Sequence, residues 1–200
     1  IILLGIVVQI RSGQFFTANN IVDLLSAMIV PGLFAIAEFM ALIAGGIDVS
    51  FPAIACASLY FPICVFKEND IDNVVLAFVF AAAIGLVIGI INAVLISLLQ
   101  IPPLIATLGV SSITQGMLLT FFGTRQISRL PSTIAALNKV YLFTYQSKAG
   151  NNYSMTALIL VPIILYIVVY IVLKYTMLGR GIYAIGGDAN AARIAGFNVV

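Results

Sequence analysis

Two carboxylates stand in or beside apolar stretches of this 200-residue chain, and they are the side chains whose type could do chemistry. Glu38 lies within the apolar run 21–44, and Asp48 follows in a short polar break. An ionised carboxylate near mid-membrane costs at least about 2.5 to 3.5 kcal/mol on insertion scales, so such groups usually face a cavity, a partner or a transport path. We predict that Glu38 lies on a substrate pathway. A secondary transporter that couples ions through Glu38 or Asp48 is the alternative.

Catalysis by the chain itself is not indicated. The sequence has no histidine, which excludes histidine-based catalysis and histidine metal sites. It has no convincing catalytic pair and no phosphate-binding loop of the form GxxxxGK[ST]. We therefore predict no catalytic residue, no metal site and no cofactor. An intramembrane enzyme is the least favoured alternative, and hydrolysis by the isolated chain would revive it.

Polar and small residues form three stripes at helical spacing, because residues at i, i+4 and i+7 share one helix face. Gly85 and Gly89 are a small-xxx-small pair that permits close helix approach, and Asn92 continues their face. The other stripes are Thr107, Ser111 and Thr114 with Gln115 at the edge, and Pro31, Ala35 and Glu38. Interhelical packing explains such glycines and hydroxyls well. As candidates for a substrate pathway we name Glu38, Asn92, Thr107, Ser111, Thr114 and Gln115.

The stretch AGGIDVSFP, residues 44–52, leaves no room for an ordinary extramembrane loop between two apolar runs. Irregular backbone at membrane depth persists only where protein or water satisfies it. We predict a tight break at or within the membrane, formed by Gly45, Gly46, Asp48 and Ser50. Asp is a favoured N-cap whose charge suits a helix N-terminus, so Asp48 is expected mainly to cap the following helix.

Composition assigns the elements that position these residues to a membrane. Hydrophobic residues make up 62% of the chain and charged residues 8%, whereas about a quarter of the residues in soluble domains are charged. The mean hydropathy is +1.19. A net charge of +2 from scattered residues does not indicate nucleic acid. We predict a single all-α domain over residues 1–200, a polytopic transmembrane helical bundle of about six spans.

Six apolar segments make up this bundle, at residues 1–10, 21–44, 49–66, 74–99, 104–122 and 154–173. The first is shorter than the roughly 20 residues that a span needs, and we expect it to be the end of a longer helix. Pro31 is expected to kink the second segment. The long loop 123–153 contains Ile134, Leu137 and Tyr141 at helical spacing, which predicts a short interfacial helix.

The segment GRGIYAIGGDANAARIAGF, residues 179–197, follows the last apolar run but is neither lipid-soluble nor obviously disordered. Asp188 is placed to N-cap a short helix 189–195, with Gly196 as its C-terminal stop. A helix of about two turns is marginal alone, so it must pack on something. Its small side chains permit close docking, and Arg193 can pair with an acidic surface. That surface belongs either to a separate protein or to the chain's own bundle.

Three motifs together resemble a known family: GGIDVS at 45–50, IPPLIATLG at 101–109, and the final segment 179–197. Their order and spacing are similar to those of the permease subunit of bacterial ABC importers for ribose, galactose and related sugars, a family that includes the autoinducer-2 importer. The resemblance implies a transmembrane subunit that passes a sugar or sugar-like molecule into the cytoplasm, using ATP hydrolysed by a separate subunit. It also implies a multi-pass protein of the bacterial plasma membrane, and a chain that continues beyond Val200.

In this family the final segment is the cytoplasmic coupling helix, which fits a groove on the ATPase subunit. The resemblance assigns coupling to Gly179, Arg180, Gly186, Gly187, Asp188, Ala191, Ala192, Arg193 and Gly196. The partners it implies are the ATP-binding subunit, an extracytoplasmic solute-binding protein, a second permease subunit in a homodimer or heterodimer, and the lipid bilayer. Phe51 and Pro52 replace the family's usual valine-glycine pair, and Glu38 replaces a commonly apolar residue, which leaves the substrate open.

Charge does not decide the orientation of the bundle. Lys174, Arg180 and Arg193 would place the final segment in the cytoplasm by the positive-inside rule. Strict alternation of the spans puts the loop 123–153 outside, although that loop also carries basic residues. The resemblance implies that the final segment lies inside and that the long loop meets a binding protein outside.

Overall fold

The computed structural model describes residues 2–124, 130–146 and 152–199. Those residues form ten α-helices and one two-stranded sheet. In chain order the elements are α1 (Ile2–Ser12), α2 (Ala18–Ala27), α3 (Ile29–Ile43), α4 (Phe51–Glu68), α5 (Val74–Ala93), α6 (Pro103–Phe122), α7 (Ser132–Leu137), β1 (Tyr141–Gln146), β2 (Asn152–Thr156), α8 (Leu160–Tyr175), α9 (Met177–Gly187) and α10 (Ala189–Ile194). A π-helical turn, Val94–Leu98, continues α5, and a 3₁₀ turn, Ala157–Ile159, leads into α8.

Within the described residues, four helices are long and apolar enough to cross a membrane. They are Phe51–Glu68, Val74–Leu98, Pro103–Phe122 and Ala157–Tyr175. A fifth span is formed if α2 and α3, which meet at 44°, count as one broken helix. The short apolar helix α1 accounts for the first of the six predicted segments. The polytopic helical bundle is therefore confirmed, with four or five spans and one shorter helix.

The bend between α2 and α3 lies about one turn before Pro31, where the kink was predicted. Met28 lies between the two helices as the C-cap of α2 and the N-cap of α3, whereas Pro31 lies inside α3. A proline cannot donate a hydrogen bond to the carbonyl four residues earlier, and its ring clashes with that carbonyl. The affected carbonyl belongs to Ala27, the last residue of α2. Pro31 thus causes a bend that appears at the preceding turn.

The spans alternate between two ends of the bundle. At one end, the junction end, the start of α4 at Ser50 meets Asn92 on α5, and Gly45 meets Gly186 on α9. α4 is 18 residues long, or about 27 Å, and leads to the opposite end. There, at the loop end, Asp72 contacts the start of α7. The helices α9 and α10 and the loop that carries α7 therefore lie at opposite ends, as strict alternation predicts.

A small two-stranded sheet lies at the loop end of the predicted helical bundle. β1 and β2 pair antiparallel, with Thr144 opposite Ser154. Tyr141, expected on a short helix, begins β1, and within the described part of this loop the helix covers Ser132–Leu137. The strand sequences YLFTYQ and NYSMT are rich in aromatic and β-branched residues, which favour strands. That content outweighs a helical spacing defined by only three apolar residues.

α4 lies at the centre of the helix packing, against α3, α5 and α6. Its buried face includes the small residues Ala53 and Ala57. A Cβ built on Gly85 would lie 3.6 Å from Ser58 Oγ, an ordinary van der Waals distance, so Gly85 faces α4 but the helices do not approach so closely that glycine is required there. Gly89 has no such neighbour within 4 Å in the described part of the chain. Most other side chains of α5 are exposed and apolar, which suits a helix surrounded by lipid or by further protein.

Candidate functional site

The break between α3 and α4 forms the centre of the candidate site. Gly45 has a φ angle of 89°, in the left-handed region that favours glycine. The backbone N–H of Gly45 donates to the Leu42 carbonyl at 3.1 Å, and that of Gly46 donates to the Ala41 carbonyl at 3.0 Å. This pair of bonds is a Schellman cap, which ends a helix and satisfies its last carbonyls. The two glycines therefore end α3 in a tight break, and its position at or within the membrane stays a prediction.

A chain of three polar side chains ties this break to α5. Asp48 Oδ1 accepts hydrogen bonds from the backbone N of Ser50 at 2.7 Å and from its hydroxyl at 2.6 Å. The Ser50 hydroxyl oxygen in turn accepts from Asn92 Nδ2 at 2.8 Å. Ser50 is fully buried and Asn92 is 7% exposed. One predicted break residue and one predicted pathway residue thus belong to a single buried contact.

The expectation that Asp48 caps α4 is wrong. Ser50 occupies the N-cap position, and no side chain caps the first turn of α4. Because the Ser50 hydroxyl donates its single proton to Asp48, its oxygen lone pairs are left for the amide of Asn92. Asp48 therefore orients Ser50 rather than capping the helix.

Asn92 keeps one hydrogen-bonding group unused. Its Oδ1 atom is buried and has no partner among the residues that the structure describes. A buried acceptor left unsatisfied costs about 1 to 3 kcal/mol, and a water or solute hydroxyl that donates to it would remove this cost. Asn92 is consequently the pathway candidate with an available acceptor beside the break.

α6 closes another side of the break. Thr107 Oγ1 accepts from the backbone N of Val49 at 3.3 Å and lies 3.4 Å from the Ile47 carbonyl oxygen, to which it can donate. Thr107 is 1% exposed. A Cβ built on Gly46 would lie 3.0 Å from the Cβ of Pro103, so α6 approaches the break closely. Protein groups thus satisfy much of this irregular backbone, as its apolar surroundings require.

α9 reaches the same break with its backbone. A Cβ on Gly186 would overlap the carbonyl group of Ile43, and a Cβ on Gly45 would lie 3.2 Å from Gly186 Cα. The adjacent Gly187 has no such neighbour within 4 Å in the described residues. Gly186 is therefore needed for packing within this chain, and its assigned role in ATPase coupling stays a prediction. We call the contact region of the break, Asn92, Thr107 and Gly186 the junction.

Two helices occupy the final segment, where the sequence predicted one. α9 begins at Met177 and was not predicted, because glycines lower helix propensity and α9 holds four of them. Gly179 is buried at the turn from α8, where a Cβ would overlap Leu173. Arg180 is exposed. The small residues at the start of the segment thus serve the close packing of α9 on the bundle.

The predicted caps of α10 are confirmed. Asp188 Oδ1 accepts from the backbone N of Asn190 at 2.8 Å and from that of Ala191 at 3.1 Å. Gly196 follows the helix with a φ angle of 88°, the left-handed conformation expected of a C-terminal stop. A six-residue helix is held at both ends by residues of its own segment.

α10 has one face on its own bundle and another in solvent. Ala192 is 3% exposed, in a helix that packs against α9. Phe197, just beyond α10, lies against Gly181 of α9, where a Cβ would be 3.3 Å from its ring. Ala191 and Arg193 are exposed, and Ile194 is 89% exposed. One face of α10 thus packs on the chain's own bundle, and the opposite face is exposed and could contact a separate protein.

The remaining pathway candidates lie apart from the junction. Ser111 and Thr114 are buried farther along α6, while Gln115 is exposed and donates to Ser111 Oγ at 3.4 Å. Thr114 lines an otherwise apolar cavity of about 630 Å³ between α4, α5 and α6. Glu38 on α3 is partly exposed, and its Oε2 atom is buried without a partner in the described residues. The six candidates therefore do not form one continuous polar stripe.

A second polar contact, at the loop end, was not predicted. The Asp72 carboxylate accepts hydrogen bonds from the Ser132 hydroxyl, from the Thr133 backbone N at 3.0 Å and from the Thr133 hydroxyl at 2.5 Å. These bonds, first that from Ser132, lower the pKa of Asp72 to about 2. Serine and threonine at a helix start suggest capping of that helix, where the hydroxyl accepts a bond from a nearby backbone N–H. Here the hydroxyls instead donate to Asp72, about 60 residues away, and no local pattern indicates that partner.

Comparison with known proteins supports the family resemblance. Residues 20–200 match the family described as the permease component of branched-chain amino acid transport systems. The fructose import permease protein of Rhizobium meliloti is 28% identical over 191 residues, which is 95% of this chain and 52% of that protein. The D-allose transport system permease protein of Escherichia coli K12 is 29% identical over 203 residues, or 99% and 57%. The ribose import permease protein of Bacillus subtilis 168 is 29% identical over 197 residues, or 98% and 58%.

No solved structure matches the chain significantly. The chain spans a little over half the length of the three curated relatives named here. The family match covers most of the chain, and the apolar helices agree with it. The chain therefore belongs to this family of transport-system permease components and is a multi-pass protein of the inner membrane.

Proposed function

We propose that the chain is the transmembrane subunit of a binding-protein-dependent ABC importer that passes a sugar or sugar-like molecule into the cytoplasm. The relatives named for fructose, D-allose and ribose support this proposal. The observation that carries it is the junction, where the α3–α4 break meets α5, α6 and α9 in contacts from Asn92, Thr107 and Gly186. A moving element at that end would act on several spans at once.

The relatives favour a hydroxylated solute over an amino acid. The family description names branched-chain amino acids, but the relatives named for fructose, D-allose and ribose point to a neutral sugar or polyol. The unused acceptor at the junction is Asn92 Oδ1, which a hydroxyl of such a solute can satisfy.

Coupling to ATP hydrolysis would enter through α10. Its exposed residues Ala191, Arg193 and Ile194 offer a surface of small, basic and apolar side chains for an ATPase subunit. Ala192 packs toward α9, and Gly186 on α9 touches the carbonyl of Ile43. The last contact on this path, between Gly186 and Ile43, joins two backbones and no flexible side chain. A displacement of α10 would therefore be passed to the break with little loss.

The other partners are assigned by position. We infer that an extracytoplasmic solute-binding protein meets the loop end, where Asp72 holds α7. A second permease subunit and the lipid bilayer would cover the exposed apolar faces. We propose that ATP and Mg²⁺ are bound by the ATPase subunit.

The test is uptake by vesicles that contain the complete permease, its ATPase and its binding protein. We expect labelled ribose, galactose, fructose or allose to accumulate only when ATP is supplied on the ATPase side, and labelled leucine not to accumulate. Leucine uptake would contradict the substrate class. Uptake driven by a proton or sodium gradient without ATP would contradict the importer and favour ion coupling through Glu38.

A matched pair of variants tests the coupling surface. Ala191→Trp adds bulk to the exposed face of α10, so we expect it to abolish co-purification with the ATPase while membrane insertion is retained. Ala135→Trp makes the same change at an exposed position of α7, at the loop end, and should leave association unchanged. Full ATPase association and ATP-driven uptake by Ala191→Trp would show that this face is not the coupling surface.

A further inference from the structure

A groove of about 640 Å³ lies between α3, α8 and α9 and shares no residue with the junction. This volume is far above the roughly 30 Å³ that one water occupies in the liquid, and it falls within the range of small-molecule sites. The walls are apolar except for three tyrosines and one lysine. The groove is thus large enough for an organic ligand but offers few polar partners.

The polar groups of the groove follow one face of α8. Tyr166, Tyr170 and Lys174 are four residues apart, so they share a helix face and extend over about 12 Å. Lys174 stands in the last turn of α8, at the junction end of a membrane span, and Tyr183 of α9 adds a phenol to the groove. The groove therefore runs from a charged end into the apolar part of the bundle.

The charge of Lys174 is not neutralised by the residues that the structure describes. Its Nζ atom donates to the Tyr170 hydroxyl at 2.7 Å and lies 5.1 Å and 5.4 Å from the ring centroids of Tyr170 and Tyr175. An ammonium group has three donors, and the phenol takes one of them. No carboxylate of the described chain pairs with it. Two donors and a full positive charge remain available at the mouth of the groove.

We propose that this groove binds one anionic phospholipid. The phosphate lies at Lys174 and Tyr183, and an acyl chain follows the wall formed by Phe39 and Ala35. An anionic headgroup supplies the missing counter-charge, since basic pockets between spans bind such headgroups. A sugar would leave most of its hydroxyls unpaired against the apolar walls. A zwitterionic lipid brings its own cation and gains less from Lys174.

Lipid retention by the purified complete protein tests this proposal. The protein is equilibrated in nanodiscs of phosphatidylcholine and phosphatidylglycerol, and the lipids retained after extraction are counted by native mass spectrometry. We expect the wild type to retain phosphatidylglycerol preferentially. Lys174→Gln should lower the ratio of phosphatidylglycerol to phosphatidylcholine about fivefold, because a headgroup held in the groove loses its contact with one basic side chain. Lys174→Arg should restore the ratio.

Two further variants separate the groove from general surface attraction. Lys67→Gln makes the same change in the last turn of α4, at the opposite end, and should leave the ratio unchanged. Ala35→Trp fills the apolar part of the groove without changing charge and should reduce retention of phosphatidylglycerol. An equal ratio in wild type and Lys174→Gln, an equal drop in Lys67→Gln, or full retention by Ala35→Trp would each overturn the proposal.

Discussion

The side-chain amide nitrogen of Asn92 lies 2.8 Å from the hydroxyl oxygen of Ser50, and both side chains are buried. Because the hydroxyl proton is donated to Asp48, the three groups form a hydrogen-bond chain with one direction, from α5 to the break. Removing one member leaves the next buried group unpaired. The stability of the break therefore depends on a residue 42 positions away.

Ser50→Ala should lower the free energy of unfolding by about 1 to 3 kcal/mol, because it leaves Asn92 Nδ2 buried without an acceptor. Asn92→Leu added to Ser50→Ala should recover part of that loss, since leucine needs no partner. The check is a double-mutant cycle by denaturant unfolding of the purified protein. Ser97→Ala is the control, because that hydroxyl bonds only within its own helix segment, to the Ala93 carbonyl. Strictly additive losses would show that the Ser50–Asn92 contact contributes nothing.

Gly186→Ala should destabilise the protein by about 1 to 3 kcal/mol and reduce transport, because its Cβ overlaps the Ile43 carbonyl and backbone must shift to admit it. Gly187→Ala is the matched control, with no described neighbour within 4 Å of the added Cβ. In thermal unfolding it should be neutral or slightly stabilising, as expected when alanine replaces a helical glycine. Thermal unfolding is measured for both variants, and ATP-driven uptake for Gly186→Ala. Equal thermal stability of the two would contradict the close contact of α9 with the break.

Acid should release α7 from the α4–α5 loop. The pKa of Asp72 is lowered to about 2 in the folded protein, against about 3.9 for a free aspartate. Because the pKa is lower in the folded protein, the ionised carboxylate stabilises the contact fully at pH values above the unfolded pKa of about 3.9. This stabilisation is lost as the pH falls through the folded pKa of about 2. The hydrogen-exchange protection factor of residues 132–137, which is the intrinsic exchange rate at each pH divided by the observed rate, should therefore fall between about pH 4 and about pH 2. Asp72→Ala should show the lowered protection factor at neutral pH, whereas Glu68→Gln should not, and full protection in Asp72→Ala would refute the contact.

A cysteine at Asn190 and one at Asn138 should be labelled from opposite sides of the membrane. Both positions are exposed, the first on α10 at the junction end and the second just after α7 at the loop end. The free thiols Cys56 and Cys64 are first replaced by alanine. A membrane-impermeant reagent should reach the cysteine at 190 only from the cytoplasm and the one at 138 only from outside. Labelling of both from the same side would contradict the alternation of the spans, and exchanged sides would contradict the orientation.

The sequence by itself determined those features that depend on residues close together in the chain. The tight break follows from Gly45 and Gly46, whose bonds reach back no more than five residues. The ends of α10 follow from Asp188 and Gly196 in the same way. Composition determined the membrane class, because the preference of apolar side chains for lipid does not depend on which neighbours they meet.

The tertiary structure alone decided which polar residues meet. Asn92 and Thr107 were singled out as pathway residues, yet their contacts are with the break, 42 and about 60 positions away. The polar stripes marked the packed faces of α5 and α6, since Asn92 on α5 and Thr107 and Thr114 on α6 are buried, but spacing along one helix could not show which distant residues those faces meet. The backbone contact of Gly186 with Ile43 likewise depends on how α9 folds back on the bundle. Such contacts arise from the packing of distant helices, and no local pattern encodes them.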